Sequence, residues 1–225
     1  MIQESFAGLE TAGRILVFGG TFDPPHLGHI ELSQRVAAEL QVDVTVYIPA
    51  GNPPHKDRVV TDAKHRLKML ESALEPYSDL IISEFETRRS NRQSFTVTTL
   101  THLRTCCPPR SSVYLLMGAD MAMSFYSWYQ PERILELADP VVITRPPMTK
   151  DDIVKALPVR LSEGEREQWR KRVLPLGLEF DVSSTELRRL LRKGQFDHPK
   201  VVKMLTPGTL DYIRDHPSIY VDASK

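Results

Sequence analysis

Two imidazoles three residues apart, His26 and His29, close the string G-G-T-F-D-P-P-H-L-G-H that spans residues 19–29. Imidazoles beside a phosphate donate hydrogen bonds and, when protonated, neutralise charge that gathers on a leaving pyrophosphate. Gly19 and Gly20 supply small residues where a backbone must approach a phosphate closely. Neither a G-x-G-x-x-G fingerprint nor a Walker A lysine is present, so the histidines offer the polar contacts that a P-loop lysine would otherwise supply. For either histidine alone, a metal pair or a surface cap would be the better reading. The full string, set between a strand and a helix, points instead to a nucleoside triphosphate site.

The elements that must position this string follow from apolar patterning. Residues 15–18, 44–48, 80–82, 113–117 and 141–144 are short, branched runs that predict buried strands. Helical spacing marks residues 30–40, Leu67/Leu70/Leu74 and Ile134/Leu135/Ala138. Alternation of strand and helix predicts an α/β fold, a Rossmann-like doubly wound parallel sheet with helices on both faces. After Pro146 the pattern loosens: residues 150–173 are polar and partly helical, and a last strand is expected at 178–182. Helices expected at 185–193 and 209–214 make a small helical C-terminal subdomain, about residues 183–225, of a single domain spanning 14–225.

Further candidates stand on these elements. Ser183-Ser184-Thr185-Glu186 fits a capping box, and a capped helix start presents N–H groups to an anion. Arg188, four residues after Ser184, shares its face and leans back towards the same end. Trp128 sits in a loop-like stretch at the expected crevice, where a flat ring could stack on it, and Asp120 could accept a bond from a ribose hydroxyl or cap a helix. Arg189, Arg192 and Lys193 read as a solvated face.

Composition narrows the function classes. In 225 residues, 29 Lys and Arg balance 29 Asp and Glu, so no overall field favours nucleic acid or a membrane surface. An anionic substrate must therefore meet a local cluster. Cys106 and Cys107 are adjacent, a poor spacing for a disulfide or a metal site, and suit a reducing, cytoplasmic setting. No apolar run approaches transmembrane length. Residues 1–13 carry acidic side chains and no signal-peptide core, and are expected to be a disordered extension.

An ordered set of motifs then carries a resemblance. Residues 19–29 resemble the H-x-G-H signature of the nucleotidylyltransferase superfamily and, more narrowly, the bacterial nicotinate mononucleotide adenylyltransferase family. Asn52-Pro53-Pro54-His55-Lys56 resembles that family's P-P-H-K loop, and Ser94-Phe95-Thr96-Val97-Thr98-Thr99-Leu100 its S-Y-T-x-D-T-L segment. Gly118-Ala119-Asp120 is similar to its G-A-D, Trp128 stands at its tryptophan, and Arg145-Pro146 matches its R-P pair. Val182-Ser183-Ser184-Thr185-Glu186-Leu187-Arg188 resembles I-S-S-T-x-I-R. Phe95 and Thr98 depart from the family's tyrosine and aspartate, and residues 147–178 form a longer, more charged stretch with no role assigned.

The resemblance implies an enzyme that joins ATP and nicotinate mononucleotide into nicotinate adenine dinucleotide with release of pyrophosphate, in NAD biosynthesis. It implies catalytic roles for His26, His29, Lys56 and Arg188. ATP contacts are expected at Gly19, Gly20, Thr21, Phe22, His26, His29, Ser183, Ser184, Thr185 and Arg188. Pyridine-nucleotide contacts are expected at Asn52, Lys56, Ser94, Phe95, Thr96, Asp120 and Trp128. Mg²⁺ is expected with ATP, held by phosphates and water, with no protein metal site. Partners are then small molecules, with no nucleic acid and no membrane; a homo-oligomer is compatible. The alternatives are use of nicotinamide mononucleotide or of both pyridines, a phosphopantetheine adenylyltransferase or cytidylyltransferase, and a non-catalytic nucleotide-sensing module. The Pro-Pro-His-Lys loop and Trp128 favour a pyridine substrate, and the intact histidines, lysine and arginine favour catalysis over sensing.

Overall fold

The computed structural model describes residues 2–3, 6–51, 60–89, 93–144, 148–174 and 183–221. In chain order the strands are β1 (Ile2–Gln3), β2 (Arg14–Gly20), β3 (Val44–Pro49), β4 (Leu80–Ser83), β5 (Ser112–Gly118), β6 (Asp139–Ile143) and β7 (Val173–Leu174). They pair in the order β1-β4-β3-β2-β5-β6-β7, every pair parallel. The helices are α1 (Leu27–Glu39), α2 (Ala63–Leu74), α3 (Thr96–Cys106), α4 (Ala119–Met123), α5 (Pro131–Leu137), α6 (Lys150–Ala156), α7 (Glu163–Arg172), α8 (Ser184–Leu191), α9 (Pro199–Met204) and α10 (Pro207–Asp215). A Rossmann-like parallel sheet with flanking helices, as the alternation predicts, is the architecture found.

Side chains alternate across a strand, so β2 feeds two cores. Ile15 and Val17 join the apolar cluster with residues of α3, α5, α6 and α7, whereas Leu16 and Phe18 join the cluster formed with α1 and α2. A third cluster gathers α8, α9 and α10 around Met69 of α2. The chain leaves β2 for β3 on one side and reaches β5 on the other, so strand order reverses between β2 and β5. Ligands bind outside the carboxyl ends of strands at such a switch point.

One expectation changes. The described residues among 1–13 are not a loose extension: Phe6 and Leu9 are fully buried, Ala12 is nearly so, and β1 pairs with β4. The reason is apolar contact, with the Phe6 ring 5.5 Å from that of Phe85. The sheet's edge strand lies at Val173–Leu174, and the strand expected at 178–182 falls outside the described residues. The polar stretch after Pro146 folds as α6 and α7, each opened by a capping box, Thr149 with Asp152 and Ser162 with Glu165.

Candidate active site

Strand β2 ends in Gly19-Gly20 and the chain turns sharply into α1. A Cβ at Gly20 would lie 2.9 Å from the Phe22 ring, so the turn holds only without a side chain there. Phe22 itself, expected among ATP contacts, is buried and packs edge-on against Phe18 and His29. It shapes the turn from beneath. His26 is the N-cap of α1, and its backbone N–H donates to His29 Nδ1 at 3.2 Å. That bond places the proton of a neutral His29 ring on Nε2, which makes Nε2 a donor. The two imidazoles lie 3.7 Å apart, centroid to centroid.

Beneath the turn runs a network of buried polar groups. Arg66 of α2 is 2 % exposed and donates to three backbone carbonyls: Thr61 from Nε (2.8 Å), Thr21 from Nη1 (2.9 Å) and Ala50 from Nη2 (2.8 Å). It thereby joins the loops after β2 and β3 to the entry of α2. Asp23, 1 % exposed, accepts from the Tyr220 hydroxyl at 2.9 Å and from the Thr61 N–H at 3.4 Å. Burial, with the Asp23 carboxylate beside it, holds the Tyr220 phenol well above the usual tyrosine range. The start of α8 docks on the same turn. Arg188 donates to the Asp23 carbonyl at 2.6 Å and to Thr185 Oγ1 at 3.0 Å, and Ser184 Oγ donates to the Pro24 carbonyl at 3.4 Å. Ser183 caps α8 by accepting from the Glu186 N–H, one of the two bonds of a capping box, while the Glu186 carboxylate pairs with Lys200 at 2.9 Å.

A cavity of about 1000 Å³ opens over the carboxyl ends of β2 and β5. Gly19, Gly20 and Thr21 line one end; Ser94, Phe95, Thr96, Asp120 and Trp128 line the other. His26, His29, Ser183, Ser184, Thr185 and Arg188 stand beside it on the turn and on α8, not on its wall. Asn52, Lys56 and the Arg145-Pro146 pair fall outside the described residues. Asp120 is not an N-cap: Gly118 holds that position, and Asp120 lies exposed in the first turn of α4.

Sequence reasoning missed Arg66, Glu86, Tyr129 and Tyr220. Glu86 lines the cavity, accepts from Thr99 Oγ1 at 2.7 Å, and bonds Ser94 and the Gly51 N–H. Burial pushes its carboxyl pKa up, against those three hydrogen bonds. Gly51 has no room for a side chain, since a Cβ would lie 2.1 Å from the Glu86 carbonyl. Tyr129 lines the cavity with its ring 4.8 Å from that of Phe95. Arg66 carried a readable signal: with Leu70 and Ala73 it falls on the buried stripe of α2, where an unpartnered arginine would be costly.

Comparison with known proteins gives the family. Residues 17–190 match the family described as cytidylyltransferase-like. A Clostridium perfringens protein named "Probable nicotinate-nucleotide adenylyltransferase" is 36% identical over 201 residues, covering 89% of this chain and 95% of the relative. A Clostridium tetani protein of the same name is 34% identical over 80% of this chain and 87% of its own length. Among solved structures, Plasmodium falciparum nicotinic acid mononucleotide adenylyltransferase complexed with NaAD shares the fold at a TM-score of 0.67 and 20% identity, covering 92% of this chain and 97% of that one. The chain belongs to the cytidylyltransferase-like family and, within it, to the nicotinate-nucleotide adenylyltransferases, a class of nucleotidyltransferase.

Proposed function

We propose that this chain transfers the adenylyl group of ATP to nicotinate mononucleotide, giving nicotinate adenine dinucleotide and pyrophosphate. The observation that carries the reading is the cavity at the switch point, with the glycine turn at one end and Trp128 and the α3 N-terminus at the other. Such a cavity holds two nucleotides with their phosphates meeting over the turn.

The attacking group is the 5′-phosphate of the mononucleotide. Its second pKa is about 6, so it is ionised at neutral pH without a general base. Catalysis then consists of orienting the nucleotides and neutralising charge at the α-phosphorus and the leaving pyrophosphate. His29 Nε2 and His26 are the donors at the turn, and the family resemblance gives Lys56 a charge-neutralising role towards the phosphates. The N–H groups at the start of α8 face the same phosphates, with Arg188 fixing α8 to the turn. Among the described residues no three His, Cys, Asp or Glu side chains converge as a metal site. Mg²⁺ brought in with ATP would supply neutralisation of phosphate charge. Free Cys106 and Cys107 suit a cytoplasmic enzyme.

At the pyridine end, Trp128 offers a stacking face and Asp120 an acceptor for a ribose hydroxyl. No Lys, Arg or His stands among the described residues lining the cavity. A nicotinate carboxylate would be read by hydrogen-bond donors at the start of α3: no side chain caps the helix at Phe95, and of its first-turn N–H groups Thr98 already bonds the Phe95 carbonyl at 3.0 Å, so Thr96 and Val97 are the donors proposed. An amide would turn its own N–H towards some of them.

The test is pyrophosphate release from MgATP with nicotinate mononucleotide, nicotinamide mononucleotide or phosphopantetheine as acceptor. The expected result is a preference for the nicotinate compound of more than about tenfold. Equal use of both pyridines would remove the role given to α3, and turnover with phosphopantetheine alone would overturn the pyridine pocket. Silence with all three would favour a sensing module.

A further inference from the structure

The polar segment after Pro146, to which the sequence assigns no role, packs against the cavity's aromatic wall. In α7 the only buried residue is Trp169, 1 % exposed in an otherwise solvated ten-residue helix. Its ring meets Phe125 edge-on at 5.1 Å, and its indole N–H donates to the Tyr126 hydroxyl at 3.2 Å. Phe125 is fully buried, lies 5.4 Å from the Trp128 ring, and accepts the Trp128 backbone N–H at 3.0 Å. Trp169 thus touches Phe125, which packs on Trp128, and Tyr126, whose ring packs edge-on against Phe125 at 5.5 Å, while Trp128 itself faces the cavity.

The helix carrying Trp169 is itself fixed. Arg166 donates to the carbonyls of Val154 (3.1 Å) and Pro158 (2.8 Å), tying α7 to α6, and Ile153 and Val154 of α6 are buried in the same cluster as Phe125. A helix this polar has little reason to pack except through one aromatic. Burying a tryptophan that is also hydrogen-bonded gives a rigid stop, because both the packing and the direction of its N–H are set.

We propose that Trp169, on the α6–α7 segment, is a positioning residue for pyridine-nucleotide binding, acting through Phe125 and Tyr126 to hold Trp128 in stacking register. The proposal rests on Trp128 being the stacking face, as argued above. Substrate selectivity would thereby depend on a segment outside the cavity wall.

Trp169→Phe keeps an apolar ring but removes the N–H donor, and Tyr126→Phe removes the acceptor from the other side. Trp169→Phe also leaves Trp128 as the chain's sole tryptophan, since the sequence has two. Its fluorescence quench by nicotinate mononucleotide then reports binding at the cavity directly. Both variants should raise KM for nicotinate mononucleotide about three- to tenfold, with KM for ATP and kcat within about twofold. The double variant should be no worse than the poorer single one, because one shared bond is lost. A uniform change in both KM values and kcat, or no change in either variant, would overturn the proposal. Trp128→Ala separates the two layers. If it leaves KM for the pyridine nucleotide unaltered, the stacking reading fails and takes the proposal with it. If it raises that KM while Trp169→Phe and Tyr126→Phe do not, the proposal alone fails.

Discussion

Around the glycine turn, Asp23, Arg66 and Arg188 are all more than nine-tenths buried, and their bonds run to backbone groups, to Thr185 and to Tyr220. At the other end of the same cavity, Trp128 is half-buried and Tyr129 is 54% exposed, held by ring contacts. The difference follows from what each end must do. Developing charge is stabilised best by dipoles that do not reorganise, and buried, fully bonded polar groups keep a turn in place. A flat ring needs only a face and a width, which aromatic packing supplies with some freedom to adjust. Damage to the turn should therefore reach turnover and folding, whereas damage to the aromatic wall should reach KM alone.

The largest effect is expected where the turn meets the phosphates. His29→Ala and His26→Ala should each lower kcat by about 10²- to 10³-fold, the scale of losing one charge-stabilising donor. KM for nicotinate mononucleotide should stay within about threefold, since neither ring lines the cavity. Steady-state kinetics at saturating ATP decide this, and full turnover in both variants would remove the histidines from the mechanism. His29→Ala is the cleaner probe because His26 is almost fully buried.

Next in size is Arg66→Ala, which strands three part-buried carbonyls at once. Each such loss is worth roughly 1–3 kcal/mol, so the variant should be less stable by about 3–4 kcal/mol. In a chain of this length that lowers Tm by on the order of 10 °C, read by calorimetry. Arg66→Lys should recover less than half, because an ammonium lacks the planar fork that reaches three acceptors. A lysine variant as stable as the parent would mean that the network is decoration around a turn stable by itself.

How much of this was legible depends on how local each feature is. The run Ile15–Leu16–Val17–Phe18, the glycines after it and the histidines at the helix start are consecutive, so β2, its turn and α1 could be read directly. Ser94, Phe95 and Thr96 could be read only as an ordered resemblance, whereas Asp120 and Trp128 also follow from their place after a strand at the expected crevice, and the cavity gathers all five. Phe6, Leu9 and Ala12 stand three apart among polar residues, too sparse a pattern to show that Phe85 would cover them. Glu86 sits in a charged stretch that reads as solvated, and its partners Thr99, Ser94 and Gly51 come from both sides of it in sequence. Tyr220 is 197 residues from Asp23; no periodicity spans that distance.

Tyr220 gives the smallest and most specific test, because it joins the far end of the chain to the turn. Tyr220→Phe keeps the ring and removes the bond to Asp23, at a cost of about 1–2 kcal/mol at neutral pH. The pH dependence has a definite sign. Burial, then the Asp23 charge and the bond to it, raise the folded-state pKa of Tyr220, against smaller opposing contributions from Thr61 and Arg188. In the unfolded chain the phenol loses its proton near about pH 10. Its contribution to stability is thus complete below about pH 10 and declines as pH rises from there towards the folded value. Tyr47, pushed up to about 12 by burial, declines in the same direction in both proteins, so the comparison cancels it. Urea midpoints for the parent and Tyr220→Phe should therefore keep their gap from about pH 8 to about pH 10 and converge above about pH 10. A gap that stays constant as pH rises further would show that the hydroxyl is not held against ionisation, and that Asp23 depends on Thr61 and the rest of its surroundings without it. With the gap closing as expected, kcat at neutral pH should fall by no more than about threefold in the variant, since Arg66 and Arg188 still hold the turn.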